Sequence, residues 1–221
     1  MFSVIFEVHP APDRWDAYLD TARMLRPELE QIDGFIDNIR YKSLTRPGWL
    51  LSLSSWRDEK ALVRWRTQMR HHEAQANGRG GILLDYHLRV GEMTHDTQSP
   101  DGYAPHAQRL DETRTGTATT ITLATARCRA ADADAVAASL GLPKDAPGLV
   151  AWDAFDAILT PGDAILLMSW KNPNAAQAGS AALPRDARVR QVRVIRDYGM
   201  FDRREAPQYY PDAPGRETLH A

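Results

Sequence analysis

Residues 33–56, DGFIDNIRYKSLTRPGWLLSLSSW, form a unit that occurs twice in the 221-residue chain. Residues 147–170, PGLVAWDAFDAILTPGDAILLMSW, match it without a gap at a constant offset of 114 residues. The identical positions are the glycine before the first strand, the Pro-Gly turn, a leucine of the second strand (Leu53 and Leu167) and the final Ser-Trp pair. In each copy the turn joins two runs of strand-forming residues, which predicts a β-hairpin. The repetition indicates an internal duplication, and this duplication decides the fold.

The segments around the first hairpin predict two helices and two more strands. Residues 2–8 alternate apolar and polar side chains, as a half-buried strand does. Apolar residues recur at helical spacing over residues 15–29 and again over residues 57–77. Residues 82–93 then form a final strand, giving the order strand, helix, strand, strand, helix, strand. This order predicts a ferredoxin-like βαββαβ unit with both helices on one face of an antiparallel sheet.

The second copy has the same plan with shorter helices, so we predict an α+β protein made of two ferredoxin-like repeats. The expected domains are residues 1–93 with the active site, a polar linker at 94–116, a degenerate second repeat at 117–201 and a C-terminal arm at 202–221. Helices cover only one face of each sheet, and a bare apolar face requires a partner. We therefore expect the two sheets to pack on each other as a pseudo-dimer.

Composition excludes several classes of function. The net charge of −2 and a pI near 6.4 give no electrostatic basis for binding nucleic acid or an anionic membrane. The single cysteine, Cys128, rules out an intramolecular disulfide and a cysteine-based zinc site. The chain shows neither a signal peptide nor an apolar run long enough to span a membrane. A cytoplasmic protein with a small-molecule substrate is expected, and homodimerisation is left open.

The densest group of chemically useful side chains lies in residues 65–79, WRTQMRHHEAQANGR. At about 100° per residue, a helical wheel places His72 on the face of Trp65 and His71 farther round. An imidazole beside an indole at a helix–sheet seam can remove a proton. The competing interpretation is a hydrogen-bonded histidine on a solvated helix face. Adjacent histidines lack the spacing of a helical metal site, so no metal is expected.

Strand residues supply further candidates. Asn38 and Arg40 project from one face of their strand, whereas Tyr41 projects from the other. Asn38 is a candidate to orient a carbonyl or a peroxide, and Tyr86 on the last strand can bring a phenol to the cavity. The ordinary alternatives are a polar strand-edge amide and a buried tyrosine bonded to the backbone.

The pattern W-x5-H-x2-AQ-x2-GR, followed by a DYxLRV strand, resembles the antibiotic biosynthesis monooxygenase family. Its positions here are Trp65, His71, Ala74–Gln75 and Gly78–Arg79, and the likeness covers residues 1–93. The resemblance implies a dimeric α/β barrel, in which the sheets of two ferredoxin-like units close on each other. It also implies a pocket between the helices and the sheet of each unit. The family register selects His71 where the wheel selects His72, and both are retained.

The resemblance implies two kinds of chemistry. Some members of the family oxidise polycyclic phenols with oxygen and no cofactor, holding the substrate with Asn, Trp, Tyr and Arg side chains. Others bind and cleave haem with a helical His, a Trp and an Asn on the first strand. Here Glu7 and Val8 stand where that Asn is expected, which counts against haem.

We therefore expect a small monooxygenase that oxidises an electron-rich aromatic or related organic molecule without a bound cofactor. The alternatives are a haem-binding or haem-degrading protein, and a non-catalytic small-molecule-binding protein. Because the second repeat lacks the helix that carries Trp, His and Gln in the first, it is expected to close the barrel while the first repeat holds the pocket. The predicted catalytic residues are His71, His72, Trp65 and Asn38; the predicted substrate-binding residues are Tyr86, Arg40, Tyr41, Gln75 and Arg79.

Overall fold

The computed structural model describes residues 1–128, 132–211 and 213. The first half contains β1 (Phe2–Pro10), α1 (Trp15–Glu30), β2 (Phe35–Ser43), β3 (Leu50–Trp56), α2 (Glu59–Thr67), α3 (Met69–Asn77) and β4 (Leu83–Asp96). The second half contains β5 (Thr120–Arg127), α4 (Ala133–Ser139), β6 (Leu149–Ala157), β7 (Asp163–Trp170), α5 (Pro173–Ser180) and β8 (Arg188–Gly199). Both halves keep the predicted order of strands and helices.

The eight strands form one closed antiparallel barrel in the order β1-β3-β2-β6-β7-β5-β8-β4. Each half contributes four adjacent strands, and the halves meet where β2 pairs with β6 and β4 pairs with β8. Both seams lie within one chain, so closing this barrel needs no second copy. The predicted α+β pseudo-dimer of two ferredoxin-like units is confirmed.

Along each strand, side chains point alternately into the barrel and toward one of two outer layers of helices. Apolar side chains from seven of the eight strands fill the interior. The outer face of the first-half sheet packs against α1 and α2, and that of the second-half sheet packs against α4 and α5. Among the helices that the structure describes, none is long and apolar enough to cross a membrane.

A cluster of charges inside the barrel joins the two halves. Glu7 on β1 is 5% exposed and accepts hydrogen bonds from Arg89 on β4 and from Arg46 in the β2–β3 turn. Arg46 also donates from Nε to the carboxylate of Asp153 on β6 at 2.8 Å, and Arg89 donates to Ser169 on β7 at 2.9 Å. Each buried charge has an opposite charge beside it, as burial requires.

The duplicated glycines have the same structural role in both halves. Gly34 and Gly148 have backbone φ angles of +91° and +86°. Residues other than glycine rarely adopt such angles. A Cβ atom at these positions would lie 2.6 Å from the Cβ of Ala61 and 2.7 Å from that of Ala175. Each glycine therefore lets a helix start pack against the hairpin, which explains why both copies keep it.

The predicted continuous helix over residues 57–77 is wrong, because the chain breaks at Gln68. This residue has extended backbone angles, φ −60° and ψ 131°, and separates α2 from α3. Its side-chain oxygen accepts the His71 amide at 2.8 Å and caps α3. Its side-chain amide donates to Glu28 on α1 at 2.5 Å. Contacts with another helix thus stabilise a break that no proline or glycine marks in the sequence.

After β8 the chain turns back over the first half. The Met200 amide donates to the Tyr86 carbonyl at 3.1 Å, and residues 203–210 then lie beside α3. We call residues 203–210 the arm segment. Residues 212 and 214–221 of the predicted arm lie outside the described residues, as do residues 129–131.

Candidate active site

A cavity of about 240 Å³ lies between the first-half sheet and its helices, with the arm segment at one side. Strand register arranges the floor of the cavity in two rows. One row runs Arg40, Ser52, Phe6, Leu88 across the four strands, and the next runs Asn38, Ser54, Val4, Val90. The floor is therefore polar on β2 and β3 and apolar on β1 and β4.

The polar side of the cavity holds hydrogen-bonding atoms without partners. The Asn38 amide donates to Ser52 Oγ at 3.0 Å and to the Leu53 carbonyl at 3.2 Å, whereas its Oδ1 atom is buried and unpaired among the described residues. The Nε atoms of Arg40 and of Arg66 on α2 are likewise buried without an acceptor in that set. Buried polar atoms are normally paired, so these three atoms suit a polar ligand.

His71 is the histidine that faces the cavity, and its ring is held by stacking and by one hydrogen bond at Nδ1. The imidazole stacks on Trp65 with ring centres 4.2 Å apart and an interplanar angle of 13°. Its Nδ1 lies 2.9 Å from the Trp65 carbonyl. A carbonyl can only accept, so Nδ1 carries the proton and Nε2 is left as an acceptor, 3.5 Å from the Gln75 amide. Burial lowers the pKa of His71 to about 4, so the ring is neutral at pH 7 and a weak base.

The structure places two predicted site residues elsewhere. His72 is exposed and stacks on the outer side of the arm, on Tyr210, at 5.6 Å between ring centres. The helical-wheel prediction for His72 is wrong because the wheel assumes one helix, and the break at Gln68 changes the helical phase. Tyr41 is 3% exposed and packs inside the barrel beside Phe155, so it does not line the cavity.

Tyr86 lies at the β4 end of the cavity and is 8% exposed. Its hydroxyl oxygen accepts hydrogen bonds from Arg79 at 3.1 Å and from Arg203 of the arm segment at 2.5 Å. Arg79 also donates to the carbonyls of Met200 and Pro211, both at 3.0 Å. The predicted substrate-binding residue Arg79 therefore holds the chain after β8 as well as lining the cavity.

The arm segment supplies cavity residues that the sequence reasoning missed. The Gln75 side-chain oxygen accepts from Tyr210 at 2.7 Å and from Gln208 at 3.1 Å, so these residues close the cavity over α3. Tyr198 on β8 adds a buried hydroxyl, and burial raises its pKa to about 12. The only sequence signal for this contribution is the tyrosine- and arginine-rich composition after β8. Within the described residues, no group of three metal-binding side chains accompanies the cavity.

Fold and cavity together define a single-chain α/β barrel with a cavity between the sheet and the helices of its first half. The family model "Antibiotic biosynthesis monooxygenase" matches residues 1–77. Jasmonate monooxygenase ABM of Pyricularia oryzae is 52% identical over 219 residues, which cover 96% of this chain and 100% of that protein. The chain belongs to the antibiotic biosynthesis monooxygenase family, and the resemblance carried by its Trp-His-Gln motif is confirmed.

Solved structures of partial likeness include two proteins described as monooxygenases. A putative monooxygenase from Lactobacillus acidophilus NCFM matches with 9% identity and a TM-score of 0.41, over 89% of this chain and 94% of that one. A putative antibiotic biosynthesis monooxygenase from Deinococcus radiodurans matches with 13% identity and a TM-score of 0.39, over 49% of this chain and 100% of that one.

Proposed function

We propose that this protein is a monooxygenase whose substrate is a small organic carboxylate with an apolar body, and that jasmonate is its first candidate substrate. The observation that carries this proposal is the divided cavity floor. Unpaired guanidinium and amide atoms lie at the β2 and β3 side, and valine, phenylalanine and leucine lie at the β1 and β4 side. The name of the 52%-identical relative supports the choice of jasmonate, a carboxylate whose body is a cyclopentanone ring with a hydrocarbon chain.

Arg40 and Arg66 are the proposed partners of the carboxylate. Guanidinium groups bind carboxylates through charge-assisted hydrogen bonds, and each has a buried Nε atom without an acceptor among the described residues. The Asn38 Oδ1 atom accepts a hydrogen bond from a water molecule beside the substrate. The apolar body then lies on Phe6 and Leu88, where it displaces water from the reacting carbon.

Trp65 and His71 act as a fixed wall and a neutral hydrogen-bond acceptor in this proposal. A pKa of about 4 makes His71 a poor base for a phenol, whose own pKa is about 10. Within the electron-rich aromatic or related organic molecules expected from the sequence, the cavity therefore favours a carboxylate over a phenol. Its volume of about 240 Å³ also lies below the roughly 300 Å³ of pockets for drug-sized ligands, which disfavours haem as the occupant.

The test is incorporation of oxygen from ¹⁸O₂ into jasmonate by the purified protein. Monooxygenation places one oxygen atom in the product and reduces the other to water, so two electrons must come from the substrate or from a donor. One reaction contains no addition, because a cofactor-free reaction is the expectation, and parallel reactions contain NADPH with flavin, or haem with a reductant. Labelled product in any of them supports the monooxygenase proposal. Binding without product in all of them supports the non-catalytic alternative instead.

Methyl jasmonate is the matched ligand control, because esterification removes the charge and keeps the apolar body. We expect the ester to have a KM about 10- to 100-fold higher, since a hydrogen bond to a charged group contributes about 1.5–3 kcal/mol. Arg40→Gln should raise the KM for the acid by a similar factor and change the KM for the ester little. Arg23→Gln, on the exposed face of α1, is the control variant. Equal KM values for acid and ester would contradict the carboxylate proposal.

A further inference from the structure

The arm segment contacts a polar residue of the cavity, not only its rim. Arg203 donates to the Tyr86 hydroxyl at 2.5 Å and, within the arm, to the Gln208 carbonyl at 3.1 Å. One guanidinium group therefore bridges the cavity and the covering segment. Its neighbour Arg204 is exposed and pairs only with Asp202 among the described residues.

The two arginines on Tyr86 determine what its hydroxyl group can do. A phenol has one proton to donate and two lone pairs that accept. Arg79 and Arg203 both donate to the Tyr86 oxygen, and this oxygen donates to no other described residue. With its lone pairs occupied, the hydroxyl is left as a donor, and it lies in the cavity wall.

The rest of the arm segment is held where Arg203 can reach Tyr86. The guanidinium groups of Arg79 and Arg203 lie 5.5 and 5.7 Å from the ring centre of Tyr210, within the range of cation–π attraction. The Tyr210 hydroxyl donates to Gln75 on α3. Displacing this segment would remove Arg203 from Tyr86 and open the cavity in a single movement.

We propose that Arg203 is a positioning residue that links closure of the arm segment to the orientation of the Tyr86 hydroxyl. When the arm is closed, the hydroxyl donates to the substrate; when the arm is displaced, the hydroxyl is free to rotate and the cavity fills with water. This inference rests on the proposed function for the role of Tyr86 toward the substrate. The contact between arm and hydroxyl does not depend on which substrate is bound.

The test is a double-mutant cycle of Arg203→Gln and Tyr86→Phe, with kcat and KM measured for jasmonate oxidation. Each single variant should lower kcat about tenfold, the value of one hydrogen bond of roughly 1.4 kcal/mol. If Arg203 acts through Tyr86, the double variant should also lose about tenfold. A loss near a hundredfold would show independent effects and overturn the proposal, as would an unchanged kcat in Arg203→Gln. Arg203→Lys should recover part of the loss, and Arg204→Gln should behave like the unaltered protein.

Amide hydrogen exchange provides a readout that needs no turnover. The Ala206 amide donates to the Arg203 carbonyl inside the arm segment, so its exchange reports whether the arm is ordered. Arg203→Gln and Tyr86→Phe should each speed exchange several-fold, with no further increase in the double variant. This result with an inactive unaltered protein would refute the proposed substrate and support the link between arm and hydroxyl. If the increase in exchange rate in the double variant equalled the product of the two single increases, the link would be refuted.

Discussion

The two halves of the barrel share a hairpin but differ on the side that faces the helices. At the offset of 114 residues, the polar floor positions of the first half are replaced by apolar residues of the second-half core. The pairs are Asn38 and Trp152, Arg40 and Ala154, Ser52 and Leu166, and Ser54 and Met168. The turn glycines and the Ser-Trp ends are unchanged. The comparison shows that duplication kept the residues that build the sheet and altered those that decide whether a cavity forms.

The helices show the same divergence at one position. Trp65 on α2 corresponds to Gly179 on α5. Trp65 lines the cavity, whereas Gly179 lies against the fully buried Trp170. Without a side chain at Gly179, α5 packs directly on the sheet. The half with tryptophan at this helix position has a cavity, whereas the half with glycine there has a filled core.

The largest expected effect on stability comes from adding one carbon atom at Gly179, in the second half. In Gly179→Ala, the new Cβ would lie 2.1 Å from Cη2 of Trp170, which must then shift in a packed core. We expect the free energy of unfolding to fall by about 3 kcal/mol, measured by urea denaturation. Gly80→Ala is the matched control, because a Cβ there meets nothing within 4 Å. Equal stabilities for the two variants would mean that α5 does not pack tightly on Trp170.

The second prediction concerns how stability depends on pH through histidine. This dependence should arise outside the second repeat, because residues 117–201 contain no histidine. The pKa of His71 is lowered from 6.5 to about 4. As the pH falls from 6.5 to 4, the unfolded chain binds a proton at this site before the folded chain does, so stability decreases. We expect a loss of about 2 kcal/mol, less than the full shift implies because the ring is partly accessible to solvent.

Urea denaturation at several pH values, with His71→Asn for comparison, measures this effect. The variant should lose less stability between pH 6.5 and 4 than the unaltered protein. Burial also lowers the pKa of His9, and that contribution remains in both proteins. Identical pH profiles would show that the His71 ring can bind a proton in the folded state.

The smallest effect concerns the two duplicated tryptophans. Trp56 Nε1 donates to Ser54 Oγ at 2.9 Å, whereas Trp170 Nε1 has no partner among the described residues, and Met168 occupies the position of Ser54. Ser54→Ala should make the first half resemble the second and lower the unfolding free energy by about 1 kcal/mol. Ser55→Ala is the control, since its buried hydroxyl has no partner in the same set and should cost close to nothing. A neutral Ser54→Ala would mean that Trp56 finds another acceptor.

Much of the fold could be predicted from the sequence because glycines, turn residues and strand alternation act locally. The Pro-Gly turn and the shared Gly34 and Gly148 dictate the same backbone wherever they occur. The cavity residues Asn38, Arg40, Trp65, His71, Gln75, Arg79 and Tyr86 were also within reach, by strand alternation or by the family motif.

Features that depend on distant contacts could not be predicted. The break at Gln68 depends on Glu28, forty positions earlier in the chain, so the helical wheel selected the wrong histidine. Tyr210 reaches the cavity through Gln75 and Arg79, and no periodic pattern in the arm indicates this. The sequence carries no signal for Arg66, because its place in the cavity wall depends on how α2 packs against the arm segment.

The charge cluster around Arg46 shows what covalent fusion permits. Arg46 precedes the first Pro-Gly turn and binds Glu7 of its own half and Asp153 of the other, whereas the equivalent residue before the second turn is Thr160. In two identical subunits related by a twofold axis, this network of ion pairs would have to occur at both ends of the barrel or at neither. A single polypeptide escapes that symmetry, so the two ends of the barrel can carry different ion pairs between the halves, as Asp96 and Arg188 do at the opposite end.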